Sequence, residues 1–384
     1  MPTKSVNNHK ENLQIGTFFF NLERLYYSGS LIRFIELSKR IRKLLIFYVD
    51  GRVYKHLFPK NVAFIRVKAP TKIPRIFRCI YLMLKSVWLA NKIKKLRVDA
   101  LYILSGFWEQ NIFALTSKIA HVPLIIRLRG DDWLARRLNK HTVLFLPIMK
   151  FYDIIETFAL NQADNIIAIN EFLAKKALAY GVRKEKISVV YHGIDSHLFK
   201  PEKARKRYKF TICCPGRLVR GKGIEDLLEA VRGLDLHVIV IGDGDKSYVE
   251  KIKKLAPNNV KFLGPVLHQK MPKYINYADI VVSPQHFMGW GRVVLEAMSC
   301  GKPVIVTISE KNYAKLGFKG WRVDPGDIKG LRKAIIEASQ ASKETLEKMG
   351  RENRKKIIEK FSWDIAYEKI LTIIKKSIER SKIN

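Results

Sequence analysis

Short runs of β-branched and aromatic residues alternate along this chain with longer stretches whose apolar positions recur at helical spacing. In the first half, strands are predicted at Ile15–Asn21, Leu44–Asp50, Val62–Val67, Ala100–Ser105, Leu124–Leu128, Asn165–Ile169 and Ile187–Tyr191. Helical spacing fills most of the gaps, as in Leu31–Ile41 and Phe172–Tyr180. Strands separated by helices return in one direction, so the pattern predicts a parallel sheet covered on both faces.

His192-Gly193-Ile194-Asp195 closes the last of these strands, and Pro201 to Lys209 is a polar, charge-dense connection without periodicity. The alternation then restarts, with strands at Phe210–Cys214, His237–Ile241, Val260–Leu263, Ile280–Ser283 and Val304–Thr307. Helices fall between them at Ile224–Val231, Lys246–Leu255 and Val293–Cys300, and Trp363–Lys382 reads as one long basic helix. The expected class is α/β, with two doubly wound Rossmann-like domains facing across a cleft. The expected division is residues 1–195, residues 196–362, and a C-terminal helix at 363–384 that packs back on the first domain. Ligands of such sheets bind beyond the carboxyl ends of the strands, so chemistry is sought just after each strand.

Charge narrows the partners. The 384 residues carry 71 Lys and Arg against 35 Asp and Glu, a formal net charge of +36. Such an excess repels itself in a compact chain and favours a polyanionic partner: a lipid surface, a nucleic acid or phosphorylated substrates. A solvated basic surface is the plain alternative. The excess is local, because residues 51–100 hold 13 basic side chains and 1 acidic one, whereas residues 151–200 hold 6 of each. Cys79, Cys213, Cys214 and Cys300 have no metal-site spacing and read as buried thiols of a reducing compartment. Met1 to Gln14 is polar and shows no secretory signal, and no apolar run reaches the ~18–20 residues that span a bilayer. The expectation is a cytoplasmic protein, soluble or peripheral on the cytoplasmic membrane face. No nucleic-acid motif or aromatic-basic platform is present, so nucleic acid is set aside.

Two segments carry chemistry. Pro215-Gly216-Arg217-Leu218-Val219-Arg220-Gly221-Lys222-Gly223 follows a strand and precedes a helix. Its glycines let backbone approach a ligand, and its spaced cations can bracket a diphosphate, Arg217 by forked hydrogen bonds and Lys222 as a point charge. A solvated basic turn is the alternative. The second segment is Gly289-Trp290-Gly291-Arg292-Val293-Val294-Leu295-Glu296-Ala297-Met298. A Gly-x-Gly turn entering a helix offers free N–H groups to a phosphate. Glu296, in apolar company about one and a half turns in, can accept two hydrogen bonds from vicinal hydroxyls such as those of a ribose. Asp243-Gly244-Asp245 reads as a turn after a strand rather than a metal site, and no metal ligands are assigned.

These segments stand in a telling order with Gly242-Asp243-Gly244, Val260-x-Phe262-Leu263-Gly264, Tyr277-Ala278-Asp279 and the extension Cys300-Gly301-Lys302-Pro303-Val304. Together, from about Val189 to Val323, they resemble the donor domain of the retaining family-4 glycosyltransferases (glycosyl transferases group 1), which have the GT-B fold. The resemblance implies transfer of a sugar, with retained anomeric configuration, from a nucleotide-sugar donor to a glycan or lipid-linked acceptor. It implies no metal, and no cofactor beyond the nucleotide sugar as substrate. Arg217 and Lys222 would bind the diphosphate, with Gly216, Gly289, Gly291 and the amides near Arg292 and Val293 around it, and Glu296 would bind the ribose. The chain departs from the family pattern at Met288, where an acidic residue usually meets the donor sugar. It departs again at Arg129-Gly130, where the family has His-Gly. Arg129 can stabilise negative charge but cannot accept a proton at neutral pH. Asp131 and Asp132 are suited to orienting Arg129 or an acceptor hydroxyl. The glycine-rich loop after the first strand is reduced to Tyr27-Ser28-Gly29-Ser30.

Pro74 to Arg97 reads as one helix without acidic residues. Phe77, Ile80, Tyr81, Leu84 and Trp88 lie along one side, and Arg78, Lys85 and Lys92 along another. An apolar face beside a basic one suits an anionic membrane surface, with Arg78, Lys85, Trp88 and Lys92 as contacts. A helix packing its apolar face on the first sheet is the alternative. Two other functions compete with glycosyl transfer: a nucleotide-sugar epimerase of the same fold, and a catalytically degenerate sugar-binding protein.

Overall fold

The computed structural model describes residues 10–22, 30–70, 75–104, 107–128, 146–204, 208–286, 291–308 and 317–383. The chain divides into two compact units, one of Met1–Tyr191 with Ala366–Asn384, the other of His192–Ile365. Each has its own parallel sheet and its own apolar core.

The first unit holds seven strands in the order β3-β2-β1-β4-β5-β6-β7. They are β1 (Glu11–Asn21), β2 (Ile41–Asp50), β3 (Val62–Arg66), β4 (Ala100–Leu104), β5 (Leu124–Leu128), β6 (Asn165–Ala168) and β7 (Ile187–Val189). Helices α1 (Ser30–Lys39), α2 (Arg75–Leu84), α3 (Ser86–Lys95), α4 (Phe107–Ala120), α5 (Leu146–Gln162) and α6 (Glu171–Ala179) connect them. Central strands such as β4 and β5 are buried along their whole length, because helices cover both faces. The long C-terminal helix, α13 (Trp363–Ile383), is fixed to this unit from Ala366 onward. Buried Tyr367 donates its hydroxyl to the Arg33 carbonyl at 2.6 Å, Arg40 lies over the Tyr367 ring, and Lys375 pairs with Glu11 at 2.5 Å.

The helix read over Pro74–Arg97 is two helices, α2 and α3, parted at Lys85. The apolar stripe of Phe77, Leu84 and Trp88 is not the inward face, unlike the alternative of a helix packing that stripe on the sheet. Leu82, Leu89, Ala90 and Ile93 enter the core, while Leu84 and Phe77 are 78% and 58% exposed. Aliphatic positions nearly half a turn away serve the core, so the aromatic side is left outward.

The second unit holds β8 (Thr211–Pro215), β9 (His237–Ile241), β10 (Val260–Gly264), β11 (Ile280–Ser283), β12 (Val304–Thr307) and β13 (Gly320–Val323) in the order β10-β9-β8-β11-β12-β13. Its helices are α7 (Ile224–Ala230), α8 (Lys246–Leu255), α9 (Met271–Tyr277), α10 (Arg292–Ser299), α11 (Ile328–Gln340) and α12 (Lys343–Lys356). The strand order reverses between β8 and β11, which is where a doubly wound sheet opens a crevice at its carboxyl edge. No helix among the described residues is long and apolar enough to cross a membrane.

Candidate functional site

Three strand-end loops meet at this switch point. The loop after β8 is tied to the loop after β9 by Gly216 N–H to the Ile241 carbonyl at 2.8 Å and Leu218 N–H to the Asp243 carbonyl at 2.9 Å. On its other side it is tied to the loop after β11 by His286 N–H to the Gly221 carbonyl at 2.9 Å. Two glycines set how close these loops come. A Cβ on Gly223 would lie 1.8 Å from the Pro284 carbonyl oxygen, and one on Gly242 would lie 1.7 Å from the Gly216 carbonyl oxygen. Gly223 also sits at φ +66°, the left-handed conformation that opens α7. Asp243 and Asp245 serve the turns: Asp243 accepts from Gly244 N–H, and Asp245 caps α8 by accepting from Tyr248 N–H.

Lys222 is half-buried in this junction and donates to Gln285 Oε1 at 2.9 Å. Gln285 is itself buried, and its carbonyl accepts from the Thr307 hydroxyl at 2.5 Å. The same Oε1 is 3.9 Å from where a Cβ on Gly291 would stand, so the ammonium sits beside the entry to α10. Burial, and after it the guanidinium of exposed Arg217, push the Lys222 pKa below its ordinary value. Two cations thus crowd one place, and Lys222 meets no carboxylate among the described residues, an arrangement that an anion relieves.

Gly291 caps α10 without a side-chain bond, and helix geometry leaves the first amides, those of Arg292 and Val293, without intrahelical acceptors. Both residues are half-buried. Glu296, one turn further, is 4% exposed, and its Oε1 accepts from His268 Nε2 at 2.9 Å. The structure therefore brings Gly216, Arg217, Lys222 and Gly291 to the carboxyl edge of one sheet, with Arg292, Val293 and Glu296 in the helix that starts at Gly291. Gly289 and Met288, and the candidates Arg129, Asp131 and Asp132, lie outside the described residues, as does the side chain of Arg78. Lys85 and Lys92 are half-buried and Trp88 is exposed on α3 and its approach. Cys213, Cys214 and Cys300 are buried free thiols, and burial pushes Cys214 up to about 12.

Two participants escaped the sequence. Gln285 stands at the end of β11, a position the strand-end rule covers, though its side chain drew no attention. His268 comes from a short turn after β10, 28 residues before the carboxylate it meets. No local signal links the two.

Comparison with known proteins agrees with this fold. Residues 38–198 match the family model Glycosyltransferase Family 4, and residues 195–356 match Glycosyl transferases group 1. The chain is similar to the uncharacterized glycosyltransferase MJ1178 of Methanocaldococcus jannaschii, with 25% identity covering 88% of this chain and 92% of that one. It is also similar to the capsular polysaccharide biosynthesis glycosyltransferase CapM of Staphylococcus aureus, with 27% identity covering 64% and 70%. Among solved structures, a glycosyltransferase of Rickettsia africae superposes with a TM-score of 0.75 at 19% identity, covering 96% of this chain and 99% of that one. Anabaena Alr3699/HepE, in complex with UDP and glucose, superposes with a TM-score of 0.74 at 20% identity, covering 95% and 100%. With family models lying end to end over both units and a shared two-sheet architecture, the chain belongs to the family-4, group 1 glycosyltransferases of the GT-B fold.

Proposed function

We propose that this glycosyltransferase takes a sugar from a nucleotide-sugar donor and transfers it with retention of anomeric configuration, using no metal and no separate cofactor. The observation that carries the reading is the junction of Lys222, Gln285 and Gly291, with Arg217 alongside. As the sugar–phosphate bond breaks, charge grows on the departing diphosphate. Fixed cations and the first amides of α10 are aimed to meet such charge without reorganising, and stabilisation of this kind is the main source of acceleration in many enzymes. Arg129 and Asp131 are assigned to the acceptor side. The UDP complex of Alr3699/HepE supports nucleoside diphosphate as the ligand class.

A thermal-shift panel of UDP, GDP, ADP and dTDP tests the reading, because a ligand bound only to the folded protein raises its stability by mass action. One nucleotide should raise Tm in a dose-dependent way; silence across the panel refutes the proposal. Isomerisation of the donor without an acceptor would instead identify an epimerase, and binding without any turnover a degenerate sugar-binding protein. The anomeric configuration of the product, read by NMR, decides retention.

The acceptor in this reading is lipid-linked and met at an anionic membrane surface. What supports it is the outward apolar stripe of α2 and α3, with Leu84, Phe77 and Trp88 at 78%, 58% and 46% exposure and no acidic residue in either helix. The Lys85 ammonium lies over the rings of Tyr81 and Trp88, 4.8 and 5.7 Å from their centroids, at the border between apolar and basic sides. Each basic group near an anionic leaflet adds about 1 kcal/mol. The protein should float with liposomes containing phosphatidylglycerol, and Leu84→Glu with Trp88→Glu should release it. Equal flotation of the double variant removes the membrane part of the reading and leaves the nucleotide part standing.

A further inference from the structure

The carboxylate of Glu296 lies in an apolar setting. Val294, Leu295, Ala297 and Met298 around it in α10 are all buried. A buried carboxylate is costly unless its oxygens find hydrogen-bond donors, and a ribose wants two acceptor oxygens turned toward it. A fixed donor on one oxygen would set how the Glu296 carboxylate is turned before the nucleotide arrives.

His268 has the geometry for that task. Its Nε2 is 2.9 Å from Glu296 Oε1, and it is the hydrogen-bond partner of this carboxylate among the described residues. Its other ring nitrogen, Nδ1, is buried without a partner. An orphaned lone pair costs less to bury than an orphaned N–H, so the arrangement places the donated proton on Nε2, facing Glu296. The ring is backed by fully buried Phe199, with centroids 5.1 Å apart and planes at 56°. The turn that carries it, His268–Lys270, follows β10 and leads directly into α9.

We propose that His268 is a positioning residue for donor recognition: its imidazole N–H holds the Glu296 carboxylate oriented and ready to accept from the vicinal hydroxyls of the nucleotide ribose. This rests on the reading of Glu296 as the ribose acceptor. Oε1 is held by the imidazole and keeps a second lone pair, while Oε2 has no protein donor among the described residues. Both oxygens can thus face a diol at once. His268 touches neither the sugar nor the diphosphate, and its effect falls on affinity rather than on the chemical step.

The test compares the wild-type protein with His268→Gln, His268→Asn and His268→Phe. Each is titrated calorimetrically with the nucleoside diphosphate that stabilises the wild type and with its 2′-deoxy counterpart. The wild type should prefer the ribonucleotide about tenfold or more, since hydrogen bonds to a charged acceptor are strong. His268→Gln retains an N–H at similar reach and should keep most of that preference. His268→Asn, too short to reach Glu296, and His268→Phe should bring it close to one, with donor KM raised and kcat within about twofold. A purely structural role would not erase ribose discrimination in a variant that melts with the wild type. The proposal is overturned if Asn and Phe keep the preference, or if they bind the ribonucleotide more tightly, which would make His268 a competitor of the ribose. A wild type that binds the nucleotide but ignores the 2′-hydroxyl overturns the role of Glu296 and this inference together, while leaving the diphosphate clamp intact.

Discussion

Replacing Lys222 by methionine should move activity and stability in opposite directions. Methionine keeps an unbranched, flexible stem and removes the ammonium. The folded protein disfavours that charge, first through burial and then through Arg217, so the Lys222 pKa lies below its ordinary 10.5. At neutral pH the unfolded chain carries the proton at no such cost, so the charge weakens the fold. Against its removal stands the hydrogen bond to Gln285 Oε1, worth about 0.5–1.5 kcal/mol net. The desolvation cost of a fully buried ion is several kcal/mol, and half-burial leaves a fraction of it. The balance should favour the variant by about 1 kcal/mol, or roughly 2–4 °C in Tm for a unit the size of His192–Ile365. Catalysis should fall by about 10²–10³ in kcat/KM, the usual effect of removing one fixed donor from a developing anion. Scanning fluorimetry reads the first quantity, and coupled detection of released nucleoside diphosphate reads the second. A variant that melts lower than the wild type yet keeps kcat/KM within tenfold would refute the reasoning and make Lys222 a structural cation.

The same group predicts a pH dependence: because its pKa is lowered, rising pH should strip the Lys222 proton and weaken donor affinity before pH 10.5 is reached, and Lys222→Arg should remove that alkaline limb of a KM profile, since guanidinium stays charged. Gly223→Ala must adopt φ +66° and displace the Pro284 carbonyl, so urea denaturation should show a loss above 1 kcal/mol, roughly 2–4, together with weakened nucleotide binding. Gly233→Ala is the control, because φ is +73° but nothing lies within 4 Å of its Cβ, and it should cost about 1 kcal/mol with binding unchanged.

Much of the fold was legible because central strands of parallel sheets are apolar on both sides. The runs at Leu124–Leu128, His237–Ile241 and Ile280–Ser283 could be read to the residue. What failed to show were edges. β13, Gly320-Trp321-Arg322-Val323, borders its sheet and is half-buried over three of its four residues, so no continuous apolar run marks it. β1 begins at Glu11, four residues before its apolar run, because backbone pairing with β2 extends past the buried stretch. For α2 and α3, two apolar stripes compete on one helical surface, and periodicity cannot say which of them meets the sheet. Within the site, Arg217, Lys222 and Glu296 could be found because each is a charged residue just past a strand or inside an apolar helix. Gln285 and His268 act only through tertiary contacts to those residues. Their meaning depends on loops that the chain brings together across 63 and 28 positions.

The glycines of the motif change their meaning once these loops are seen together. From sequence they read as room for a ligand to approach. In the structure Gly223 makes room for Pro284, Gly242 for the Gly216 carbonyl and Gly244 for the Leu218 carbonyl, so backbone neighbours alone account for all three. Gly216 differs, since nothing lies within 4 Å of the Cβ it lacks. Glycine spacing in such a loop is therefore mainly a signature of three strand ends packed at a switch point, and many doubly wound sheets could share it whatever they bind. Anion chemistry enters through the groups that packing does not explain: a cation kept at a cost in stability, an exposed guanidinium that raises that cost, and a buried carboxylate served by one imidazole. Residues held against the interest of the fold are the ones whose removal should separate activity from stability.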